Sequence, residues 1–206
     1  MATLAATDIF FNYTGTATGT SNNSLALGGT MNTSTITDAL ANNVFDDVTG
    51  DESTGGTLEY RCIAVKDSHA TAQMLNVKTW ITGYVRAATS FDVVSFACEK
   101  TVGTGSLMNV IANAYAAPSL QFTLAMGGTC AWTAEGAPSS TIEFGTIMAN
   151  GGWMGLWLRR SVPVTASAYS NRSVTIQVQC ETTGSPREIT NKFYVVNFNG
   201  ADAISI

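Results

Sequence analysis

The sequence predicts an all-β protein: a single-domain antiparallel β-sandwich of jelly-roll-like type, with a long N-terminal loop and at most one or two short helices. Three observations predict it. Apolar residues recur in short runs with a period of two rather than at helical spacing. Those runs are divided by clusters of Gly, Pro, Ser and Asn, the residues that turn a chain. Finally, 206 residues with 45% hydrophobic but only 12% charged side chains can bury one two-layer core under a polar, nearly neutral surface. No repeat or interdomain linker interrupts residues 1–206, so 1–43 reads as an N-terminal strand and extended loop and 44–206 as the main sandwich.

The elements follow in chain order. Asp8 to Tyr13 reads as a strand, and Thr14 to Thr35, almost entirely Thr, Ser, Asn and Gly, as a long surface loop. Thr37 to Val44 carries a cap residue and a Leu40/Val44 pair four apart, which predicts a short helix. Residues 58–65 alternate Leu58, Tyr60, Cys62 and Ala64 on one face with Glu59, Arg61, Ile63 and Val65 on the other, as a strand requires. After polar punctuation at Lys66 to His69, Met74 to Tyr84 resumes alternation, and the two segments are expected to pair as a hairpin. Leu107 to Ala117, rich in Ala, is the second candidate helix. Further strands are expected at 91–98, 119–126, 141–148, 153–160, 173–181 and 192–198.

Composition excludes several function classes. The net charge is −5 and no basic run exists, which argues against direct nucleic-acid binding. The longest apolar stretch, around Gly152 to Leu158, is far short of a membrane span. The start, MATLAATDIFFNYTG, lacks a secretory pattern, so synthesis in a cytoplasm is expected. Cys62, Cys98, Cys130 and Cys180 are scattered without metal-ligand spacing, and read as buried thiols with a disulfide as the alternative. No cofactor is implied.

Three clusters could carry chemistry. LEYRCIAVKDSHA, 58–70, holds two acids, two bases, a cysteine and the only histidine, His69. Alternation makes Glu59 and Arg61 a same-face pair of opposite charge, and Cys62 shares an inward face with Leu58 and Tyr60. No GxSxG elbow supplies a nucleophile, since Gly105-Ser106 is followed by Leu-Met. His69 therefore reads as a solvated turn residue whose loss should change stability by no more than about 0.5 kcal/mol. The second cluster, Phe45 to Glu52, brings Asp46, Asp47, Asp51 and Glu52 around a glycine, hard oxygen ligands of the kind calcium takes, but not at EF-hand spacing. Turn-capping acids are the plainer reading. The third, Trp153 to Arg160, places Trp153 and Trp157 on one face and ends in Arg159 and Arg160. Tryptophan and arginine dominate binding hot spots, so these four are candidate interface residues, although a core position is the plainer reading of the tryptophans.

These same blocks carry a resemblance. Phe45-Asp46-Asp47-Val48-Thr49-Gly50-Asp51-Glu52, Leu58 to Asp67 and Val77-Lys78-Thr79-Trp80-Ile81 resemble a family of tailed-bacteriophage virion structural proteins. So do Leu156 to Pro163 and Ala168-Tyr169-Ser170-Asn171, with a looser echo in Ser24 to Gly29, whereas 82–152 departs from the pattern. The resemblance implies a non-enzymatic component of the particle, a capsid decoration or cement protein on the virion surface. Its implied partners are the major capsid protein and itself, as a homotrimer. A tail, neck or baseplate component shares the same resemblance. A glycan-binding or glycan-cleaving β-sandwich is the alternative from another class; exposed tryptophans would favour it, and paired carboxylates remain conceivable for cleavage.

Overall fold

The computed structural model describes residues 3–16, 20–85, 93–98, 108–118, 142–147, 149–165, 172–183 and 187–198. Its strands are β1 (Ile9–Gly15), β2 (Gly28–Thr35), β3 (Thr57–Asp67), β4 (Met74–Val85), β5 (Val93–Cys98), β6 (Met108–Val110), β7 (Ile142–Ile147), β8 (Trp153–Val162), β9 (Arg172–Glu181) and β10 (Ile189–Phe198). They form two antiparallel sheets, one ordered β5-β8-β3-β1-β2-β6 and the other β10-β9-β4-β7. One face of each sheet meets in a shared core: Ile9, Phe11, Ile63, Val65, Leu156 and Leu158 from the first, Val77, Ile81, Val174, Ile176, Tyr194 and Phe198 from the second. The expected β-sandwich is the fold. β9 shows why alternation predicts it, with every second residue from Arg172 to Cys180 buried.

Four local expectations are corrected. β3 and β4 are not a hairpin: they lie in different sheets, so 68–73 is an arch from one layer to the other. Neither candidate helix forms; Thr37 to Val44 is a run of turns and bends, and 108–117 opens with the short β6 before turning. The α-helix among the described residues, α1 (Gly50–Gly55), lies inside the acidic segment, nucleated by a capping box in which the Thr49 side chain accepts from Glu52 N and the Glu52 carboxylate accepts from Thr49 N at 2.8 Å. The expected N-terminal loop is shortened from both ends, because Thr14 and Gly15 belong to β1 and 28–35 is the strand β2, built largely on polar side chains. There Asn12 Nδ2 donates to the Asn32 carbonyl at 3.0 Å and Asn32 Nδ2 to the Thr16 carbonyl at 2.7 Å, contacts no hydrophobic pattern announces. The expected strand at 119–126, with Cys130, lies outside the described residues, and so does the side chain of Cys98.

The first sheet is covered on its outer face too. Tyr60, Cys62 and Ala64 of β3 point away from the inter-sheet core into a second cluster with Met108, Ile111, Trp153 and Trp157. β2 and β6 fold back over β8 to close it. A Cβ at Gly28, where φ is +93°, would lie 1.7 Å from the Asn109 carbonyl oxygen, and one at Gly155 would lie 2.2 Å from Met108 Sδ.

Candidate functional site

Because β3 is buried on both faces, its charged residues are enclosed rather than solvated. Glu59, Arg61, Ile63 and Val65 share the face that looks into the main core, and Glu59 and Arg61 are 1% and 2% exposed. β8 runs beside it with Glu59 opposite Arg160, itself fully buried. The Glu59 carboxylate is held by two guanidiniums: Arg61 Nη2 stands 2.5 Å from Oε1, and Arg160 Nη2 pairs with Oε2. Burial pushes the Glu59 carboxyl up to about 7, against the pull of Arg160 and Arg61.

The acidic segment closes over this cluster. Arg160 Nη1 donates to the Asp46 carbonyl at 2.7 Å, and Asp46 Oδ1 lies 3.6 Å from both guanidiniums. The Arg160 guanidinium also sits 5.1 Å from the ring centroid of Phe45 and 5.8 Å from that of Phe198, a cation held over aromatic faces. Farther out, the Tyr115 hydroxyl donates to Glu52 Oε1 at 2.8 Å. Partial burial pushes Glu52 up, but hydrogen bonds from Thr49 and Tyr115 outweigh it and hold the carboxyl below its ordinary value; the same bond pushes the Tyr115 phenol up to about 12. Beside Tyr115 opens a groove of about 470 Å³ lined by Gly56, Thr57, Leu58, Ser161 and Val162, with Leu58 and Tyr115 exposed.

The four candidate calcium ligands are thus dispersed among separate tasks. Asp46 faces the arginines, Asp47 accepts from Asn42 Nδ2 at 2.8 Å, Asp51 lies exposed in the first turn of α1, and Glu52 completes the capping box. Among the described residues no three His, Cys, Asp or Glu side chains converge where a metal ion could sit. Of the candidate interface residues, the two tryptophans take the core reading. Trp153, Trp157 and Arg160 are buried within the chain, and only Arg159 is half-exposed. β8 is an interior strand between β5 and β3, and both of its faces are packed, Leu156 and Leu158 into the inter-sheet core and Trp153 and Trp157 into the outer cluster.

His69 is corrected from solvated to structural. Its Nδ1 accepts from the Ala72 and Thr71 amides at 2.8 and 3.1 Å, its own N–H donates to Asp67 Oδ1 at 2.9 Å, and its carbonyl accepts from Asn150 N at 2.7 Å. Nδ1 as an acceptor leaves Nε2 as the ring's donor. Asp67 is fully buried, which pushes its carboxyl up to about 6 against hydrogen bonds from the His69 and Met74 amides. Cys62 and Cys180 are buried thiols, the latter pushed up to about 12 by burial and by Asp67. Tyr115 was not legible as part of any cluster, since it fell within an expected helix; the Thr49-x-x-Glu52 spacing was the one sequence signal for the turn it binds.

No family model matches the chain, and no curated protein matches it. Among solved structures, the N-terminal domain of PorA aligns over 93% of this chain and 96% of its own, at 13% identity and a TM-score of 0.41. A family 123 glycoside hydrolase from Clostridium perfringens aligns over 79% of this chain, at 10% identity and a TM-score of 0.36; the chain spans 23% of that enzyme. The ASH/PapD-like domain of human CEP192 aligns over 77% of this chain and 82% of its own, at 8% identity and a TM-score of 0.29. Likeness at these scores carries no functional argument.

Proposed function

We propose that this chain is a non-enzymatic structural protein of a tailed-phage particle, a decoration or cement protein that binds the major capsid protein and acts by surface burial alone. The observation that supports it most is the use of its ionisable groups: Glu59, Arg61, Arg160, Glu52, Asp67 and His69, the richest chemistry in the sequence, are committed to holding strands and loops together. What they leave outside is a sparsely charged polar surface set with single large apolar side chains, among them Leu58, Val110, Tyr115 and Val164. Such a surface suits protein contact in which apolar anchors supply affinity and few charges set register. Multivalent attachment to a shell would let modest contacts add, whether the chain sits there as a homotrimer or in another symmetry.

The glycan reading is less favoured by the described tryptophans. Trp80, Trp153 and Trp157 are all buried and offer no stacking platform. The deciding experiment is a reconstruction of the native particle. Density for this fold on the outer shell supports the decoration reading; density at the neck, tail or baseplate moves the chain to that part of the virion, and its absence from the particle removes the reading altogether.

A further inference from the structure

The outer edge of β10 is treated differently along its length. Its C-terminal half is closed by the segment that follows β2: Val195 N donates to Asp38 Oδ1 at 2.7 Å, Ala39 N to the Val195 carbonyl at 3.2 Å, Asn197 N to Asn43 Oδ1 at 3.0 Å, and Asn43 N to the Asn197 carbonyl at 3.3 Å. Odd-numbered residues of β10 therefore aim their backbone groups outward. The even-numbered ones face β9, as the Thr182 N to Glu188 carbonyl bond at 3.0 Å confirms at the strand's start. By the same alternation Ile189, Asn191 and Phe193 present outward N–H and C=O groups, and among the described residues no strand lies on that side of β10. Ile189 and Phe193 are also 64% and 52% exposed. An open edge with apolar side chains is a template for another strand.

We propose that Ile189–Phe193 is the contact through which two copies of this chain pair, β10 against antiparallel β10, about a two-fold axis at Asn191. The segment is complementary to itself in that register. Ile189 of each copy faces Phe193 of the other, Asn191 faces Asn191, and Thr190 faces Lys192, so apolar meets apolar and no like charges oppose. All three odd positions are hydrogen-bonded pairs, giving about six backbone bonds across the axis. The length fits as well. The open edge is bounded by the 38–43 cap on one side and by the β9–β10 connection on the other, and continuing the register brings Arg187 of one copy alongside Val195 of the other, where Asp38 is docked. Arg187 is already paired with Glu181 of its own chain at 2.9 Å, so the ends of the segment carry no unpaired like charges against each other. This is a two-fold contact and not the trimer that the virion resemblance implies, and it stands independently of where the chain functions. So short a contact belongs to the small, weak class of interfaces, so pairing is reversible.

Sedimentation equilibrium of the full chain from micromolar to millimolar concentration tests it. The wild-type protein is expected to be a reversible dimer. Phe193→Pro removes an outward N–H without touching the β9 ladder and should weaken dimerisation about tenfold or more. Phe193→Glu, a change confined to an exposed side chain, should do likewise and decides the matter if the proline variant fails to fold by circular dichroism. Val110→Lys, an exposed position on the β6 edge of the other sheet, should leave the dissociation constant unchanged. A protein that is monomeric throughout, a trimer, a dimer unaltered in folded Phe193→Glu, or a dimer weakened equally by Val110→Lys overturns the proposal.

Discussion

Glu59 and Asp67 lie on the same face of β3, near its two ends, and both are buried, yet the fold answers the two carboxylates by different means. Glu59 is clamped between Arg61 and Arg160 under the 44–56 segment. Asp67 is met by backbone amides of the arch that crosses from one sheet to the other. The first solution needs side chains from two strands and a docked loop, and its attraction is offset by the desolvation of three charges. The second needs only a turn. Both ends of the strand therefore respond to pH, but only the Glu59 end depends on side-chain partners brought from another strand.

Breaking the ion cluster should have the largest effect. Arg160→Met leaves Glu59 and the Asp46 carbonyl short of a donor and should cost about 3–5 kcal/mol in urea unfolding, whereas replacing Glu59, Arg61 and Arg160 together by apolar residues should cost much less. If the single change costs as little as the triple one, the cluster is not a unit. Tyr60→Ala, on the reverse face of the same strand, should cost about 3 kcal/mol through a cavity against Trp153 and Trp157, outside the inter-sheet core rather than within it.

The Asp67 end should show itself through pH. Its carboxyl rises from 3.8 to about 6 on folding, so the folded state binds the proton more tightly. Stability from this group is full below pH 3.8 and is lost as pH rises toward about 6. Glu59, raised from 4.5 to about 7, slopes in the same direction at somewhat higher pH. Asp67→Asn should therefore flatten the acid part of the curve and leave the part near neutrality, read as urea midpoints across pH; an unchanged curve would mean that Asp67 titrates as it does in the unfolded chain. His69→Ala, which deprives the Thr71 and Ala72 amides of their acceptor, should cost about 1 kcal/mol, with faster hydrogen exchange at those two amides. The smallest effect sharpens the contrast from the other side: with the 44–56 acids serving arginines and caps, excess chelator should leave the melting temperature unchanged, and a drop restored by calcium would reopen Asp46, Asp47, Asp51 and Glu52 as a metal site.

The sandwich class and most of the strands are written locally in the chain, because alternation in a segment such as Arg172–Glu181 and a short apolar run such as Trp153–Leu158 are properties that a sheet buried on one or both faces must show. The sequence also held the capping box that places α1, written in the spacing of Thr49 and Glu52. It could not say which face of β3 meets the other sheet, since both faces carry residues that become buried and the face with Glu59 and Arg61 is the more polar. Nor could it pair the strands: adjacency of β3 and β4 in the chain favoured a hairpin, and only the sheet order sends them to different layers. β2, built largely of Thr, Asn and Gly, has no hydrophobic period to read; its Asn32 side chain donates to the Thr16 carbonyl, its Ser34 hydroxyl accepts from Ser21 N, and its Asn32 carbonyl accepts from Asn12 of β1. Those decisions belong to the tertiary structure because a charge or an amide is indifferent to its own neighbours in sequence, and becomes stable in the core only when a partner from another strand arrives opposite it.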